Sequence, residues 1–285
     1  MRVAVTGASG FLGRRFVAAA AAAGHRVAAL VRPGRAVEPA PGLEVIEGDL
    51  SSFTALRALV QRADVVLHLA AAGVQSRDRA PRTMSLTNVD GPARLAEAMA
   101  ASKVGRLVAT GSVLEYAPGD AYGVSKTEGF HALGAAVARL GLRGWYLRLA
   151  SLYGPGDDRE KLLPSAVEAA RSGSAFDMTP GAQVREWLHV EDAVAALLRG
   201  CELEPPPGLT ELDVGTGVGV ALVDLIREVY RLAGRDEALV RAGARPYRPE
   251  EVMRLVMDPA RARTTLGWSP VVTLSDGLRR LVADA

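Results

Sequence analysis

Short apolar runs alternate with longer helical patterns through the first half of the chain. Helical periodicity predicts helices at 12–23, 52–62, 88–101 and 122–140. The apolar runs of strand length lie at 2–6, 26–31, 43–47, 64–69, 106–110 and 145–149. Continuous apolar strands joined by helical crossovers are typical of a parallel sheet that is covered on both faces. The pattern therefore predicts an α/β fold with a doubly wound parallel sheet.

Glycine and serine mark several of the predicted helix ends. Gly24 and Gly141 directly follow helical patterns, where a left-handed cap costs glycine little. Ser51 or Ser52 precedes another helix and can cap its first turn.

The alternation of strand and helix patterns becomes less regular after about residue 150. Proline and glycine cluster at 154–156, 205–208 and 246–249, which predicts loops and a smaller C-terminal lobe. We expect a dinucleotide-binding domain at 1–155, to which 186–215 return. The remaining segments, 156–185 and 216–285, are expected to form a substrate-binding lobe.

Composition narrows the class of protein. Hydrophobic residues make up 49% of the 285 residues and charged residues 23%, as in an ordinary globular protein. A net charge of +2 favours neither a nucleic acid nor a membrane as a partner. The single cysteine, Cys201, rules out an internal disulfide and a cysteine metal cluster. The first residues read as a strand rather than an export signal, so we expect a cytoplasmic location.

A glycine-rich loop follows the first predicted strand. Residues 6–13 read TGASGFLG, which places glycines at positions 7, 10 and 13 directly before the first helix. Glycines in such a turn let the backbone approach a pyrophosphate, and the helix N-terminus supplies partial positive charge. The loop predicts a dinucleotide site.

The end of the second strand bears on the choice of dinucleotide. An acidic residue there would bind the adenosine ribose, but the chain has Val31 followed by Arg32. Arg14 and Arg35 are candidates to lie nearby, and guanidinium groups suit a 2′-phosphate. This favours NADP(H) and leaves NAD(H) possible, the alternative being that Arg32 is an ordinary surface residue.

Tyr122 and Lys126 lie four residues apart on a predicted helix and so share a face. Lysine is rare here, since only three of the 34 basic residues are lysines. A phenol is a poor acid–base catalyst at neutral pH, and a nearby ammonium group lowers its pKa. The pair is therefore a candidate for proton transfer, the alternative being a chance spacing.

The glycine loop and Tyr122-x-x-x-Lys126 together resemble the short-chain dehydrogenase/reductase superfamily. They resemble in particular its extended branch of sugar-nucleotide epimerases, dehydratases and ketoreductases. Further segments resemble that branch in the same order along nearly the whole chain. They are Asp49-Leu50, HLAA at 68–71, Asn88, RLASLYGPG at 148–156, REWLHVED at 185–192 and LGW at 266–268.

The resemblance implies a Rossmann-like sheet and a set of site residues. The catalytic residues it implies are Ser112, Tyr122 and Lys126, with Ser112 preferred over Thr110 because Tyr116 follows it at the family's spacing. The segment between Ser112 and Tyr122 is shorter than in extended relatives, which predicts a more open pocket. With the 2′-phosphate candidate Arg32, the implied cofactor contacts are Gly7, Ser9, Gly10, Phe11, Leu12, Gly13, Asp49, Leu50, Leu69, Ala70, Ala71, Asn88, Tyr122 and Lys126.

The residues after Ser112 narrow the reaction class that the resemblance implies. Dehydratases carry acidic residues there, whereas this chain has Val113 and Leu114, which cannot transfer protons. Glu115 is offset by one position and is expected to point elsewhere. A ketoreductase and a 4-epimerase remain, and Arg32 favours the reductase because reductases draw on NADPH. A non-catalytic NADP(H)-binding regulator is a third possibility.

The resemblance also implies a nucleotide diphosphate sugar as substrate. Arg185 and Arg248 correspond to arginines that bind the diphosphate, and Ser151 replaces an asparagine of the family pattern. A ketone without a nucleotide is the alternative substrate. A homodimer built on the helix that begins near Tyr122 is also expected.

Overall fold

The computed structural model describes residues 1–75 and 79–284. The first three strands have the bounds expected from the sequence, whereas the sixth begins two residues earlier. The strands are β1 (Arg2–Thr6), β2 (Arg26–Val31), β3 (Leu43–Glu47), β4 (Val65–His68), β5 (Arg106–Ser112), β6 (Arg143–Leu149), β7 (Ser151–Tyr153), β8 (Phe176–Met178), β9 (Val184–His189), β10 (Gly208–Val214), β11 (Gly219–Ala221), β12 (Val240–Ala242) and β13 (Arg254–Leu255).

The helices lie mainly between these strands. Within the described residues, no helix is both long and apolar enough to cross a bilayer. The α-helices are α1 (Phe11–Ala22), α2 (Phe53–Val60), α3 (Pro81–Met84), α4 (Gly91–Ala101), α5 (Ala121–Arg139), α6 (Leu162–Ser172), α7 (Val190–Glu202), α8 (Leu222–Leu232), α9 (Ala260–Leu266) and α10 (Leu274–Ala283).

A seven-stranded parallel sheet forms the centre of the molecule. Its strand order is β10-β6-β5-β4-β1-β2-β3, and each neighbouring pair is parallel. The chain starts in β1, runs to one edge through β2 and β3, and then returns to build the other half from β4. This is the doubly wound, Rossmann-like arrangement that the sequence predicts, and it is confirmed.

Helices cover both faces of this sheet, because successive strand side chains point to opposite faces. Val3 and Val5 of β1 pack in one core with Phe16 of α1 and Leu197 of α7. Ala4, between them, packs in the opposite core with residues of α2, α4 and α5. The nearly continuous apolar strands seen in the sequence are thus buried on both faces of the sheet.

The expected helix caps are present. Gly24 and Gly141 adopt positive φ values of 77° and 65° just after α1 and α5. Of the two serines considered, Ser52 is the cap, since its Oγ accepts a hydrogen bond from the Ala55 amide at 3.3 Å.

The predicted helix at 88–101 begins differently in the structure. Residues Ser85–Asp90 form a wider π-helical turn, and α4 begins only at Gly91. Pro92 has no amide hydrogen, so it cannot donate the bond to the carbonyl of residue 88 that a straight α-helix requires. The wider turn accommodates this missing bond.

The second half of the chain supplies the smaller lobe. Strands β11, β9 and β13 form a small sheet with β7 beside β9, and β12 pairs with β8. Helices α6, α8 and α10 share a separate hydrophobic core. Strand β10 lies in the large sheet, parallel to β6. The expected residue boundaries of the two domains stay a prediction.

Candidate active site

A single cleft of about 1060 Å³ brings together most of the expected site residues. It opens at the carboxyl ends of β1, β4 and β5, where ligands bind in open parallel sheets. Side chains of the smaller lobe form its other wall. The expected residues that line it are Gly7, Ser9, Gly10, Phe11, Leu12, Gly13, Arg32, Asp49, Leu50, Leu69, Ala70, Ala71, Ser112, Tyr122, Ser151 and Arg185.

The glycine loop forms a tight cradle at one end of the cleft. A Cβ atom at Gly7 would lie 2.6 Å from the Ala70 amide nitrogen, and Gly7 has a φ of +76°. A Cβ atom at Gly13 would lie 2.1 Å from the Gly7 carbonyl oxygen. Neither position therefore accepts a side chain without movement of the backbone.

Helix α1 presents its N-terminus to this cradle. Gly10 is the N-cap residue and has no side chain to bind the first amides, and no acidic residue lies in the first turn. The amides and the helix dipole are thus free to attract an anion. A cradle that excludes side chains and ends in such a helix fits a dinucleotide pyrophosphate.

Basic side chains surround the far end of the cradle. Arg14, Arg32 and Arg35 all line the cleft, so the two neighbours proposed for Arg32 do lie in the same cleft. Asp49 lines the same cleft as these arginines. Hydrogen bonds from Ser51 hold the pKa of Asp49 below its usual range, and the charge of Arg32 adds to this effect.

Ser112 and Tyr122 both line the cleft. Ser112 is the last residue of β5, which runs two residues beyond its predicted end. Its Oγ accepts a hydrogen bond from the Leu114 amide at 3.2 Å, which leaves its own hydrogen available as a donor. Tyr122 lies in the first turn of α5 and is 8% exposed.

Lys126 lies one turn further along α5, behind the wall of the cleft. Its Nζ donates a hydrogen bond to the Thr110 carbonyl at 2.7 Å. The side chain is buried and is not among the residues that line the cleft. Burial lowers the pKa of Lys126, and the charge of Glu115 opposes that shift.

The pKa of Tyr122 shifts in the direction opposite to the one expected. Burial of the phenol raises the pKa, and the charges of Glu115 and Asp120 raise it further, whereas Arg79 lowers it. We expected Lys126 to lower this pKa. Desolvation outweighs any such effect in this structure, so Tyr122 is held in its protonated form.

Glu115 points away from the cleft, as expected. Its carboxylate is buried and forms an ion pair with Arg148, in which Nε and Oε2 are 3.0 Å apart. It therefore cannot take the place of the acidic residues of a dehydratase.

Two residues that were expected to contact ligands do not line the cleft. Asn88 is buried, and its amide group exchanges hydrogen bonds of 2.8 Å with the backbone of Ala72. It therefore fixes the segment after β4, which lines the cleft, instead of contacting the cofactor itself. Arg248 is exposed and lies outside the cleft lining, and its contact with a substrate stays a prediction.

The cleft carries a cation that sequence reasoning missed. Lys161 lines the cleft and forms an ion pair with Asp157 at 2.8 Å. Arg185 also lines the cleft and forms an ion pair with Glu251 at 2.8 Å. Burial lowers the pKa of Arg185, and the charge of Glu251 partly offsets this shift. The rarity of lysine was the signal that could have identified Lys161.

Comparisons with known proteins agree with this geometry. Residues 3–208 match the model of the NAD dependent epimerase/dehydratase family. The dTDP-6-deoxy-L-talose 4-dehydrogenase (NAD(P)(+)) of Kitasatospora kifunensis is 31% identical over 98% of this chain and 94% of its own length. The UDP-glucose 4-epimerase of Mycolicibacterium smegmatis is 29% identical over 99% of this chain and 97% of its own.

A solved structure shares both the fold and the extent of the chain. MoeE5 in complex with UDP-glucuronic acid and NAD superposes with a TM-score of 0.85 and 27% identity, covering 99% of this chain and 98% of that one. The cradle, the cleft and these likenesses lead to one conclusion: the chain belongs to the NAD dependent epimerase/dehydratase family, in the extended branch of the short-chain dehydrogenases/reductases.

Proposed function

We propose that this protein is an NADP(H)-dependent ketoreductase that acts on a nucleotide-linked keto sugar. The observation that carries the proposal is the placement of Ser112 and protonated Tyr122 in the same cleft as the glycine cradle. A ketone held there meets a hydrogen-bond donor and a proton donor together.

The residues of the chain divide the chemistry between them. A reduced nicotinamide supplies hydride when bound. The Ser112 hydroxyl donates a hydrogen bond to the ketone oxygen, and the Tyr122 phenol gives its proton to that oxygen as negative charge develops. The ketone becomes an alcohol, and the phenolate regains its proton from solvent. Lys126 keeps positive charge close to the forming phenolate.

The arginines at the adenosine end support NADPH over NADH. Arg32 and Arg35 are exposed and line the cleft beside Asp49. Arg14 also lines the cleft, where its guanidinium donates a hydrogen bond to the Gly156 carbonyl. Planar guanidinium groups bind a 2′-phosphate through paired hydrogen bonds. The name of the talose dehydrogenase includes NAD(P)(+) and is therefore compatible with either cofactor.

The substrate wall supports an anionic substrate. Lys161 and Arg185 both line the cleft, and the Lys161 ammonium lies 5.4 Å from the centre of the Phe11 ring in the glycine loop. Their charges suit the diphosphate of a nucleotide sugar, the class of ligand that MoeE5 holds. Trp187 in the same wall offers an aromatic surface beside them.

We also propose that the protein acts as a homodimer in the cytoplasm. Helix α5 exposes Val124 at 46%, with His131 and Ala135 also exposed further along the helix. The outward face of α5 also carries Glu128 and Arg139, and such a mixed surface can pack against a second copy of the same helix.

A nucleotide-sugar 4-epimerase is the second candidate function, and Asp49 favours it. The carboxylate of Asp49 is close enough to interact with Arg32, which weakens the case for a 2′-phosphate. An epimerase returns the hydride that it removes and therefore retains NAD(H). The relative from Mycolicibacterium smegmatis carries that activity in its name.

One assay separates the candidates. The purified protein is mixed with NADPH and a nucleotide-linked 4-keto sugar, and the nicotinamide absorbance is followed. We expect stoichiometric loss of NADPH. Retained cofactor with epimerised sugar and no net oxidation would favour the epimerase. Bound cofactor without turnover of any ketone would favour a non-catalytic regulator.

A further inference from the structure

A buried carboxylate lies directly beneath the proposed catalytic residues. Glu115 Oε1 accepts hydrogen bonds from the Ser112 amide at 2.7 Å and from the Tyr146 hydroxyl at 2.9 Å. Its Oε2 accepts a hydrogen bond from Arg148 Nε at 3.0 Å. The Glu115 side chain is only 3% exposed, so each of these interactions is shielded from water.

The chain makes room for this carboxylate. A Cβ atom at Gly111 would lie 2.6 Å from Glu115 Oε1 and 2.5 Å from Tyr146 Cε1. Any larger residue at position 111 would displace the carboxylate or the tyrosine ring. The absence of a side chain here keeps Glu115 in contact with the end of β5.

Arg148 alone does not balance the negative charge of this cluster. Its guanidinium also pairs with Glu211 at 2.7 Å and with Asp213 at 3.1 Å. Three carboxylates thus share one arginine. The ammonium group of Lys126, whose pKa Glu115 raises, is a further cation within reach of this charge.

We propose that Glu115 is a positioning residue, which fixes Ser112 at the cleft and places a buried negative charge beside the first turn of α5, the turn that carries Tyr122. This inference rests on the proposed ketoreductase function and explains why the site would favour the reductive direction. Reduction needs the tyrosine as an acid, whereas oxidation of an alcohol needs it as a phenolate.

The other charged groups around Tyr122 partly offset one another. Asp120 raises the pKa of Tyr122 and Arg79 lowers it, and the two are joined by an ion pair of 2.9 Å. His68 is uncharged, because burial and the charge of Lys126 lower its pKa to about 3. Among the charges acting on Tyr122, that of Glu115 has the largest effect.

Two substitutions separate the charge of Glu115 from its contact with Ser112. Glu115→Gln keeps an oxygen for the Ser112 amide but removes the negative charge. We expect the alkaline limb of the kcat–pH profile to move about one pH unit lower, because Tyr122 then loses its proton more readily. Glu115→Asp keeps the charge but shortens the reach, so kcat should fall about tenfold with the limb unmoved.

Glu211→Gln is the matched control. This substitution removes the charge of another carboxylate that pairs with Arg148, but Glu211 does not contact Ser112. The Glu211 side chain is also half exposed, unlike that of Glu115. We expect its pH profile to match that of the wild type. NADPH binding, followed by fluorescence, reports whether each variant retains a folded cleft.

A spectroscopic titration tests the inference even if no ketone is reduced. The phenolate absorbance of the NADP⁺ complex is titrated with and without Tyr122→Phe, so that the difference isolates Tyr122. In Glu115→Gln the Tyr122 midpoint should lie lower than in the wild type. An unchanged midpoint or an unchanged alkaline limb would overturn the role of Glu115. If Glu115→Gln does not fold, Glu115→Asp decides the question. A shift of the alkaline limb of its kcat–pH profile would overturn the role of Glu115.

Discussion

Tyr122 is the residue on which the proposed chemistry depends most. It is nearly buried, lies at the start of α5 and is held in its protonated form by its surroundings. We expect Tyr122→Phe to lower kcat by about two to four powers of ten, the usual cost of removing a general acid. Steady-state kinetics measure this loss.

The phenylalanine variant should still bind NADPH, because the glycine cradle does not involve the phenol. Fluorescence titration of NADPH binding is the control. Turnover close to that of the wild type would show that another group donates the proton.

Arg32 is the residue expected to decide the preference for NADPH over NADH. We expect Arg32→Ala to raise the KM for NADPH by about ten- to hundredfold, the size expected for losing charged hydrogen bonds to a phosphate. The KM for NADH should change little. Initial rates with both cofactors measure the difference.

Arg57→Ala is a suitable control for Arg32→Ala, because Arg57 is exposed on α2 and outside the cleft lining. Equal use of NADH and NADPH by both variants and the wild type would remove the case for the 2′-phosphate.

Among the elements, the junction of β1 and α1 is the most constrained. Gly13→Ala would place a methyl group 2.1 Å from the Gly7 carbonyl. We expect this variant to lose most of its affinity for NADP(H), since the cradle must open to admit the methyl group. Isothermal calorimetry measures the change in affinity.

Gly105→Ala provides the matched control, because a Cβ atom there meets no other atom within 4 Å. Its affinity for the cofactor should equal that of the wild type. Unaltered binding in Gly13→Ala would place the pyrophosphate elsewhere.

The sequence predicts elements well where one local signal decides them. The bounds of β1, β2 and β3 follow from apolar runs, and the glycine cradle follows from three spaced glycines. The start of α4 was missed because the effect of Pro92 reaches back one turn. Asn88 was assigned to the cofactor from its position in the family pattern, whereas its side chain hydrogen-bonds the Ala72 backbone and the Ser125 hydroxyl.

The site residues that were missed depend on contacts between distant segments. Glu115 meets Tyr146 and Arg148, which lie more than thirty positions further along the chain. Lys161 enters the cleft from the smaller lobe, and no local pattern points to its neighbours. Pairings of this kind are decided by the fold as a whole.

For the molecule as a whole, assembly is the feature most open to test. We expect Ala135→Arg to convert a dimer to a monomer, because a long charged side chain would lie on the outward face of α5, near its C-terminal end. Analytical ultracentrifugation measures the mass. Ala58→Arg on the exposed face of α2 is the control and should leave the dimer intact. A wild-type protein that sediments as a monomer would contradict the proposed assembly.

Transfer of labelled hydride tests the central claim most directly. The protein is supplied with a nucleotide-linked 4-keto sugar and with NADPH that carries deuterium at both C4 positions of the nicotinamide, and the mass of the product is measured by mass spectrometry. We predict one deuterium in each product molecule, bonded to the former carbonyl carbon, for each NADPH consumed. A sugar that is converted without gaining deuterium, while the added NADPH is left intact, would contradict the account.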